Sequence, residues 1–238
     1  MKAGSTLENY LLAVVRGEQT GFKARLVLLG LSILEMAYWV AIKLKYFSTG
    51  KQSLPVPVIS VGNITAGGTG KTPTVVWIVE TLRNAGLRPA VLTRGYRGAA
   101  QNEGLIISSA DLHHLTGVET GDEPYLLAKL LPGVTIAIGR DRYQMGLKAL
   151  QADPDIDLFV LDDGFQFFRL QRQLDLVLLD AINPFDNRHL LPRGLLREPL
   201  SALRRAGMVL LTRSEQVDPE TVEQIVTTVK RHNPQVLT

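Results

Sequence analysis

The stretch SVGNITAGGTGKTP, residues 60–73, indicates the fold class of this 238-residue chain. An apolar run, VISV (58–61), leads into it, and a helical pattern begins at about residue 72. Glycines let backbone N–H groups curl around phosphate oxygens, and the N-terminus of the following helix favours negative charge. This order predicts a phosphate-binding loop, although Thr65 stands where the usual pattern has its first glycine.

The residue types of this loop indicate a nucleotide and a metal. We expect Lys71 to reach the β- and γ-phosphates and the Thr72 hydroxyl to ligate Mg²⁺, so the predicted cofactors are ATP and Mg²⁺. The alternative is a glycine-rich turn with a purely structural role, whose lysine binds no ligand. The residues predicted to contact the nucleotide are Thr65, Ala66, Gly67, Gly68, Thr69, Gly70, Lys71 and Thr72.

Apolar runs alternate with helical patterns along the rest of the chain. Continuous hydrophobicity is typical of strands covered on both faces, so we expect an α/β fold of the P-loop NTPase type, with a largely parallel sheet flanked by helices. The predicted strands lie at 58–61, 89–93, 134–138, 157–162, 175–180 and 208–212. The predicted helices lie at about 72–85, 123–131, 140–152, 198–205 and 219–231.

Acidic residues at strand and helix ends are the candidate catalytic groups. Asp162 and Asp163 follow the buried run LFVL, where one carboxylate would hold Mg²⁺ and the other would orient a nucleophile. Asp122 opens a helix in GDEP (121–124), either as an N-cap or as a general base for an acceptor hydroxyl. Arg140 and Arg142, at the start of another helix, would either bind phosphates or be exposed to solvent without a ligand.

Composition excludes several function classes. The chain has no cysteine, which rules out disulfides, thiolate zinc sites and a cysteine nucleophile. Residues 1–55 hold seven basic and three acidic side chains, so the remainder carries −1 of the total net charge of +3. A nucleic-acid binder would carry its basic face on the folded domain, so no nucleic-acid partner is expected. A short basic, apolar leader fits an anionic membrane surface better.

The leader contains one long apolar run. Residues 26–42 carry a single charge, Glu35, and Arg25 and Lys43 bound them. As a helix the run would be about 26 Å long, at the lower limit for a membrane span, and Glu35 would add about 3 kcal/mol to insertion. Three interpretations stay open: a monotopic helix in a membrane face, a structural helix packed on the main domain, and a single span. We divide the chain into a membrane-associated segment, 1–54, and a P-loop domain, 55–238.

Six motifs together resemble one family. VGNITAGGTGKTP, TRGYRG (93–98), GDEP (121–124), GRDR (139–142), LDDGFQ (161–166) and LLPRGLLREPL (190–200) occur in the order found in tetraacyldisaccharide 4′-kinases, the lipid A 4′-kinases. The resemblance runs from the leader to residue 238. The family's own P-loop also departs from the strict spacing.

The resemblance implies phosphoryl transfer from ATP to the 4′-hydroxyl of a tetraacyldisaccharide 1-phosphate. This lipid A precursor and the cytoplasmic face of the bacterial inner membrane would be the partners, with no obligate protein partner. Lys71, Asp122, Asp162 and Asp163 would be catalytic, with Asp122 as the base, and Thr72, Asp162 and Asp163 would hold the metal. The candidates for substrate contacts are Asn63, Tyr96, Arg140 and Arg197.

The chain departs from the family pattern in two places. Phe167 follows LDDGFQ where the family usually has histidine. The family also carries a C-terminal portion with an Asp-His-His-type motif, one histidine of which would pair with the GDEP aspartate, and we expect residues 1–238 to lack it. Two alternative functions therefore stay open: a membrane-tethered P-loop ATPase that signals to a protein, and a catalytically impaired nucleotide-binding remnant.

Overall fold

A seven-stranded, mostly parallel sheet forms the centre of the computed structural model, which describes residues 6–15 and 17–238. The strand order is β3-β4-β2-β5-β1-β6-β7; β3 is antiparallel to β4, and all other pairs are parallel. The predicted α/β, P-loop-like class is confirmed. The strands are β1 (Val58–Asn63), β2 (Pro89–Thr93), β3 (Leu105–Ile107), β4 (Ile136–Ile138), β5 (Leu158–Asp162), β6 (Leu174–Asp180) and β7 (Met208–Thr212).

Eight α-helices surround or precede this sheet among the described residues. They are α1 (Thr6–Val15), α2 (Phe22–Ser48), α3 (Lys71–Asn84), α4 (Ala100–Glu103), α5 (Gly117–Thr120), α6 (Asp122–Leu130), α7 (Arg142–Ala152) and α8 (Pro219–His232). Two helix predictions need correction. The helix expected at 198–205 is a 3₁₀ helix, Leu200–Arg205, and α7 begins at Arg142 rather than at 140 because the Asp141 carboxylate caps it.

Helices cover both faces of the sheet, which explains the continuous apolar runs. Along β5, Val160 packs in one hydrophobic cluster with α3 and α6, while Phe159 and Leu161 pack in another with α7. All five residues of β5 and all five of β2 are buried. Because alternate side chains of a strand point to opposite faces, an apolar layer on each side requires a strand that is apolar throughout.

The sheet order places the P-loop beside the turn after β5 that contains Asp162 and Asp163, called the Asp-Asp turn. β1 lies between β5 and β6, and Val61 of β1 pairs with Asp162 at the carboxyl end of β5. The loop after β1 and the turn after β5 therefore meet at one edge of the sheet, where ligands bind in open α/β folds.

Helix α2 has two different faces. Glu35, Tyr38, Lys45 and Tyr46 contact the body of the protein. Large apolar side chains at three- and four-residue spacing point away from it; they are Phe22, Leu26, Leu29, Ile33, Met36, Val40, Leu44 and Phe47. Within the described part of the chain, α2 is the one helix long and apolar enough to cross a membrane, with a mean hydropathy of 1.7.

The structure describes the predicted leader, residues 1–54, only in part, and its last residues contact the body of the protein. Lys2 and Arg16, two of its basic residues, lie outside the described residues. Leu54, the last residue of the predicted segment 1–54, is buried in the core cluster beside α7. The chain just before it also pairs with the body, since the Gln52 N–H donates to the Arg169 carbonyl oxygen over 2.7 Å. The boundary at residue 54 stays a prediction.

Candidate active site

The P-loop takes its shape from glycines in conformations that other residues rarely adopt. Gly67 has φ = 125° and Gly70 has φ = 80°. Gly70 immediately precedes α3, so the turn delivers the chain directly into the helix. The buried Asn63 amide donates to the Thr69 hydroxyl over 3.0 Å and ties the start of the loop to its end. The loop is thus held curved above a helix N-terminus, which is where phosphate binds.

The Asp-Asp turn is pressed against the end of β1. A Cβ at Gly62 would lie 2.7 Å from the Phe165 Cβ, so only glycine allows this approach. The contact brings the P-loop lysine near the turn, with Lys71 Nζ 3.7 Å from Asp163 Oδ1.

Asp163 is held by the arginine of the LLREPL motif. Arg197 donates to its two carboxylate oxygens over 2.7 and 3.1 Å, and also to Asn63 Oδ1 over 3.2 Å. Burial raises the pKa of Asp163, but the Arg197 hydrogen bonds and the charges of Arg197 and Lys71 outweigh it and leave the pKa below its usual value. Asp163 is therefore an ionised carboxylate at neutral pH.

Asp162 lies in a different environment. Its side chain is buried, and its Oδ2 accepts a hydrogen bond from the Thr93 hydroxyl over 3.1 Å. Burial, together with the negative charges of Glu123 and Asp163, raises the pKa of Asp162 to about 7. A buried carboxylate beside two other acids is stabilised by a cation.

The TRGYRG and GDEP motifs pack backbone against backbone. A Cβ at Gly98 would lie 2.3 Å from the Gly121 nitrogen, and Gly121 itself has φ = 89°. This approach fixes where α6 starts and where its first residue, Asp122, is placed. Asp122 is exposed and faces the same cavity as Lys71 and Asp163.

One cavity of about 730 Å³ is lined by most of the side chains predicted to be catalytic or to contact the substrate, and by part of the P-loop. Its predicted members are Ala66, Gly67, Lys71, Tyr96, Asp122, Asp162, Asp163 and Arg197. Thr65, Gly68 and Thr69 line a smaller cavity of about 170 Å³ with Asp180 and Arg213. Asn63 and Gly70 adjoin these residues in the P-loop, and Thr72 is the second residue of α3.

Arg140 lies outside the main cavity. It is exposed and lines a separate cavity of about 440 Å³ with Lys148 and Arg169. The other arginine of GRDR, Arg142, is the buried one, stacked 3.9 Å from the Phe167 ring centroid. Burial and the charge of Arg94 lower the pKa of Arg142 to about 10, so it stays charged at neutral pH.

Sequence reasoning missed several residues of the main cavity. Thr93, Arg94 and Glu123 lie inside recognised motifs and could have been chosen by their position at strand or helix ends. Tyr38 had no such signal, because it reaches the cavity from α2.

The donor set fits Mg²⁺ bound together with a nucleotide. Across the described ranges, no group of three or more histidine, cysteine, aspartate or glutamate side chains could hold a metal alone. Mg²⁺ characteristically keeps several waters and takes one or two carboxylates plus substrate phosphates. Asp162, with Thr72 at the start of α3, matches that donor chemistry.

Comparisons with known proteins agree with this geometry. The sequence model of a family described as LpxK, tetraacyldisaccharide-1-P 4′-kinase, matches residues 26–237. The chain is 45% identical over 203 residues to the tetraacyldisaccharide 4′-kinase of Geobacter sulfurreducens, covering 83% of this chain and 57% of that protein. It is 37% identical over 233 residues to that of Halothermothrix orenii, covering 95% and 60%.

A solved structure is also similar. The crystal structure of the "apo" form of LpxK from Aquifex aeolicus in complex with ATP matches with a TM-score of 0.71 and 39% identity, covering 81% of this chain and 61% of that one. The chain therefore spans less than two thirds of the length of these relatives.

Proposed function

Because the chain belongs to the tetraacyldisaccharide 4′-kinase family, we propose that it binds Mg²⁺-ATP and transfers the γ-phosphoryl group to the 4′-hydroxyl of a tetraacyldisaccharide 1-phosphate. One observation carries the proposal: Lys71, Asp122 and the Asp162–Asp163 pair line the same cavity. A phosphoryl-transfer site needs these components, namely a cation for the phosphates, acids for the metal and a base for the acceptor.

Each residue has a role that follows from its surroundings. The P-loop backbone, residues 65–72, cradles the phosphates, and Lys71 neutralises the charge that develops on them. Thr72 and Asp162 would hold Mg²⁺, which would supply positive charge to offset the charge of the phosphates. Asp163, fixed by Arg197, keeps Lys71 directed at the phosphates and takes part at the metal centre.

Asp122 is proposed as the base. It lies at the exposed mouth of the cavity, where an acceptor sugar can approach, rather than among the buried groups near the P-loop. Its carboxylate would accept the proton of the 4′-hydroxyl as that oxygen attacks the γ-phosphorus. Tyr96, which is exposed on the same cavity, would contact the disaccharide, and Arg140, in its separate cavity, would contact a more distant part such as the 1-phosphate.

The apolar outer face of α2 is proposed to lie in the cytoplasmic face of the inner membrane. The opposite face, with Glu35 and Tyr38, contacts the protein, which favours a helix lying on the membrane over one that spans it. Exposed Lys23, Arg25 and Lys43 beside the apolar face would contact anionic headgroups. The lipid substrate and the catalytic cavity would then meet at one surface, with 1–54 as the membrane-associated segment and 55–238 as the kinase domain.

Replacement of Asp122 tests the catalytic assignment. We expect Asp122→Asn to lower kcat by about 10²- to 10⁴-fold, as for a lost general base, with little change in KM for ATP. Asp155→Asn, at an exposed aspartate paired with Arg88, is the matched control. A rise in KM for ATP with unchanged kcat would reject the base assignment.

A further inference from the structure

A loop joins helix α2 to the catalytic centre. This segment, residues 189–197, is called the 189–197 loop. At its first end, Glu35 accepts a hydrogen bond from the Leu190 N–H over 2.8 Å, and His189 Nδ1 lies 3.1 Å from Glu35 Oε1. Arg193 lies 3.7 Å from the other carboxylate oxygen. Three groups of the loop therefore surround one carboxylate of the helix.

At its other end the same loop is joined to the P-loop and to the Asp-Asp turn. The Arg197 N–H donates to the Ile64 carbonyl oxygen over 2.7 Å, and the Ala66 N–H donates to the Leu195 carbonyl oxygen over 2.6 Å. The Arg197 guanidinium holds Asp163. Tyr38 completes the connection, because its hydroxyl donates to the Arg197 carbonyl oxygen over 3.2 Å.

Glu35 is a charged residue in an apolar helix, and its contact with the loop explains its position. It lies in the one described helix that is long and apolar enough to cross a membrane, yet its side chain is only 18% exposed and points to the protein. Apolar packing alone would let the loop slide along the helix. A carboxylate that accepts a backbone N–H and contacts an imidazole and an arginine fixes the position of the loop, because hydrogen bonds to a charged group are short and directional.

We propose that Glu35 and Tyr38 are positioning residues that hold the 189–197 loop, and through it Arg197, against Asp163 and the P-loop. The proposal deepens the kinase function proposed above and rests on it for its catalytic consequence. The helix proposed to contact the membrane is then also a structural part of the catalytic centre. Weakening its hydrogen bonds to the loop would make Arg197 more mobile.

Hydrogen exchange tests the positioning without relying on catalysis. In the full chain, Glu35→Gln should speed exchange at the Leu190, Arg197 and Ala66 amides by about fivefold or more, since local opening becomes easier. Tyr38→Phe, which removes only the hydroxyl, should act in the same direction near Arg197. Glu223→Gln, at an exposed glutamate of α8, should leave these amides unchanged. Unchanged exchange in Glu35→Gln, or a rise confined to residues 22–48, would overturn the proposal.

A kinetic cycle separates positioning from simple anchoring of the helix. Glu35→Gln should lower kcat about tenfold with KM for ATP within about twofold, and should have no further effect when Arg197→Ala is already present. If the two effects multiply, Glu35 does not act through Arg197 and the proposal is wrong. If the unaltered chain transfers no phosphate, the proposed function fails, and the exchange result alone decides whether the loop is held.

Discussion

The guanidinium of Arg197 donates a hydrogen bond to each carboxylate oxygen of Asp163, over 2.7 and 3.1 Å. This pair joins the Asp-Asp turn after β5 to the LLREPL motif, 34 residues later in the chain. Lys71 approaches the same carboxylate at 3.7 Å. One aspartate thus connects the P-loop lysine to an arginine from a distant loop.

Arg197→Lys should impair transfer because an ammonium group lacks the planar fork of N–H donors that reaches both carboxylate oxygens in parallel. We expect kcat to fall about 10- to 100-fold, in the range for a broken, partly buried charge pair. Steady-state kinetics with Arg204→Lys, at an exposed arginine, as the matched control measures the effect. Equal rates in the two variants would show that the pair has no catalytic importance.

Asp162→Asn should raise stability in the absence of metal, and the gain should grow as the pH rises from about 4 to about 7. The folded pKa of about 7 exceeds the usual value of about 3.9. The folded state therefore binds the proton more tightly, and the free energy of unfolding falls as pH rises from about 4 to about 7. Asparagine cannot ionise, so the gain in Tm over the unaltered protein, measured in a chelator, should be larger at pH 8 than at pH 5.

The same pair of proteins tests the metal assignment. Mg²⁺-ATP should raise the Tm of the unaltered protein at pH 8 and raise that of Asp162→Asn much less, because the carboxylate ligand is lost. A gain in Tm that is constant with pH, or an equal response to Mg²⁺-ATP, would contradict this account of Asp162.

Gly98→Ala should destabilise the protein and displace Asp122. The added Cβ would meet the Gly121 nitrogen at 2.3 Å and the Thr120 carbonyl carbon at 2.4 Å, both of them backbone atoms. We expect a loss of about 1–3 kcal/mol in the free energy of unfolding, measured by urea denaturation. Gly50→Ala is the control, since its Cβ would meet nothing within 4 Å. A neutral Gly98→Ala would show that the two motifs are not packed this closely.

Leu44→Glu should weaken membrane binding without affecting the nucleotide. Leu44 is 65% exposed on the outer face of α2. Replacing a membrane-buried leucine with a charge should lower partitioning into phosphatidylglycerol vesicles about 10- to 100-fold, measured by sedimentation. Affinity for Mg²⁺-ATP should not change. Leu237→Glu, 61% exposed near the C-terminus, is the control, and an equal effect from it would reject α2 as the membrane contact.

The sheet and the P-loop could be predicted because their information is local. The runs at 89–93 and 208–212 coincide with β2 and β7, since continuous apolar residues between polar turns leave few alternatives. β3 was missed: it has only three residues, Leu105–Ile107, and pairs antiparallel at the edge of the sheet. The burial of Arg142 instead of Arg140 could not be predicted, because it depends on the Phe167 ring that stacks against the Arg142 guanidinium.

The contacts of α2 could not be predicted, because they join residues far apart in the chain. Sequence reasoning treated Glu35 only as a cost to membrane insertion. In the structure it meets Leu190, 155 residues later, and Tyr38 meets Arg197, 159 residues later. No periodicity or spacing within the helix carries that information.

Direct phosphoryl transfer tests the proposed kinase function. The purified chain would be given γ-labelled ATP, Mg²⁺ and a tetraacyldisaccharide 1-phosphate in mixed micelles, and the position of the label on the lipid would be determined. We predict label at the 4′-oxygen, lost in Lys71→Ala. Binding or hydrolysis of ATP with no label on the lipid would contradict the proposed kinase function.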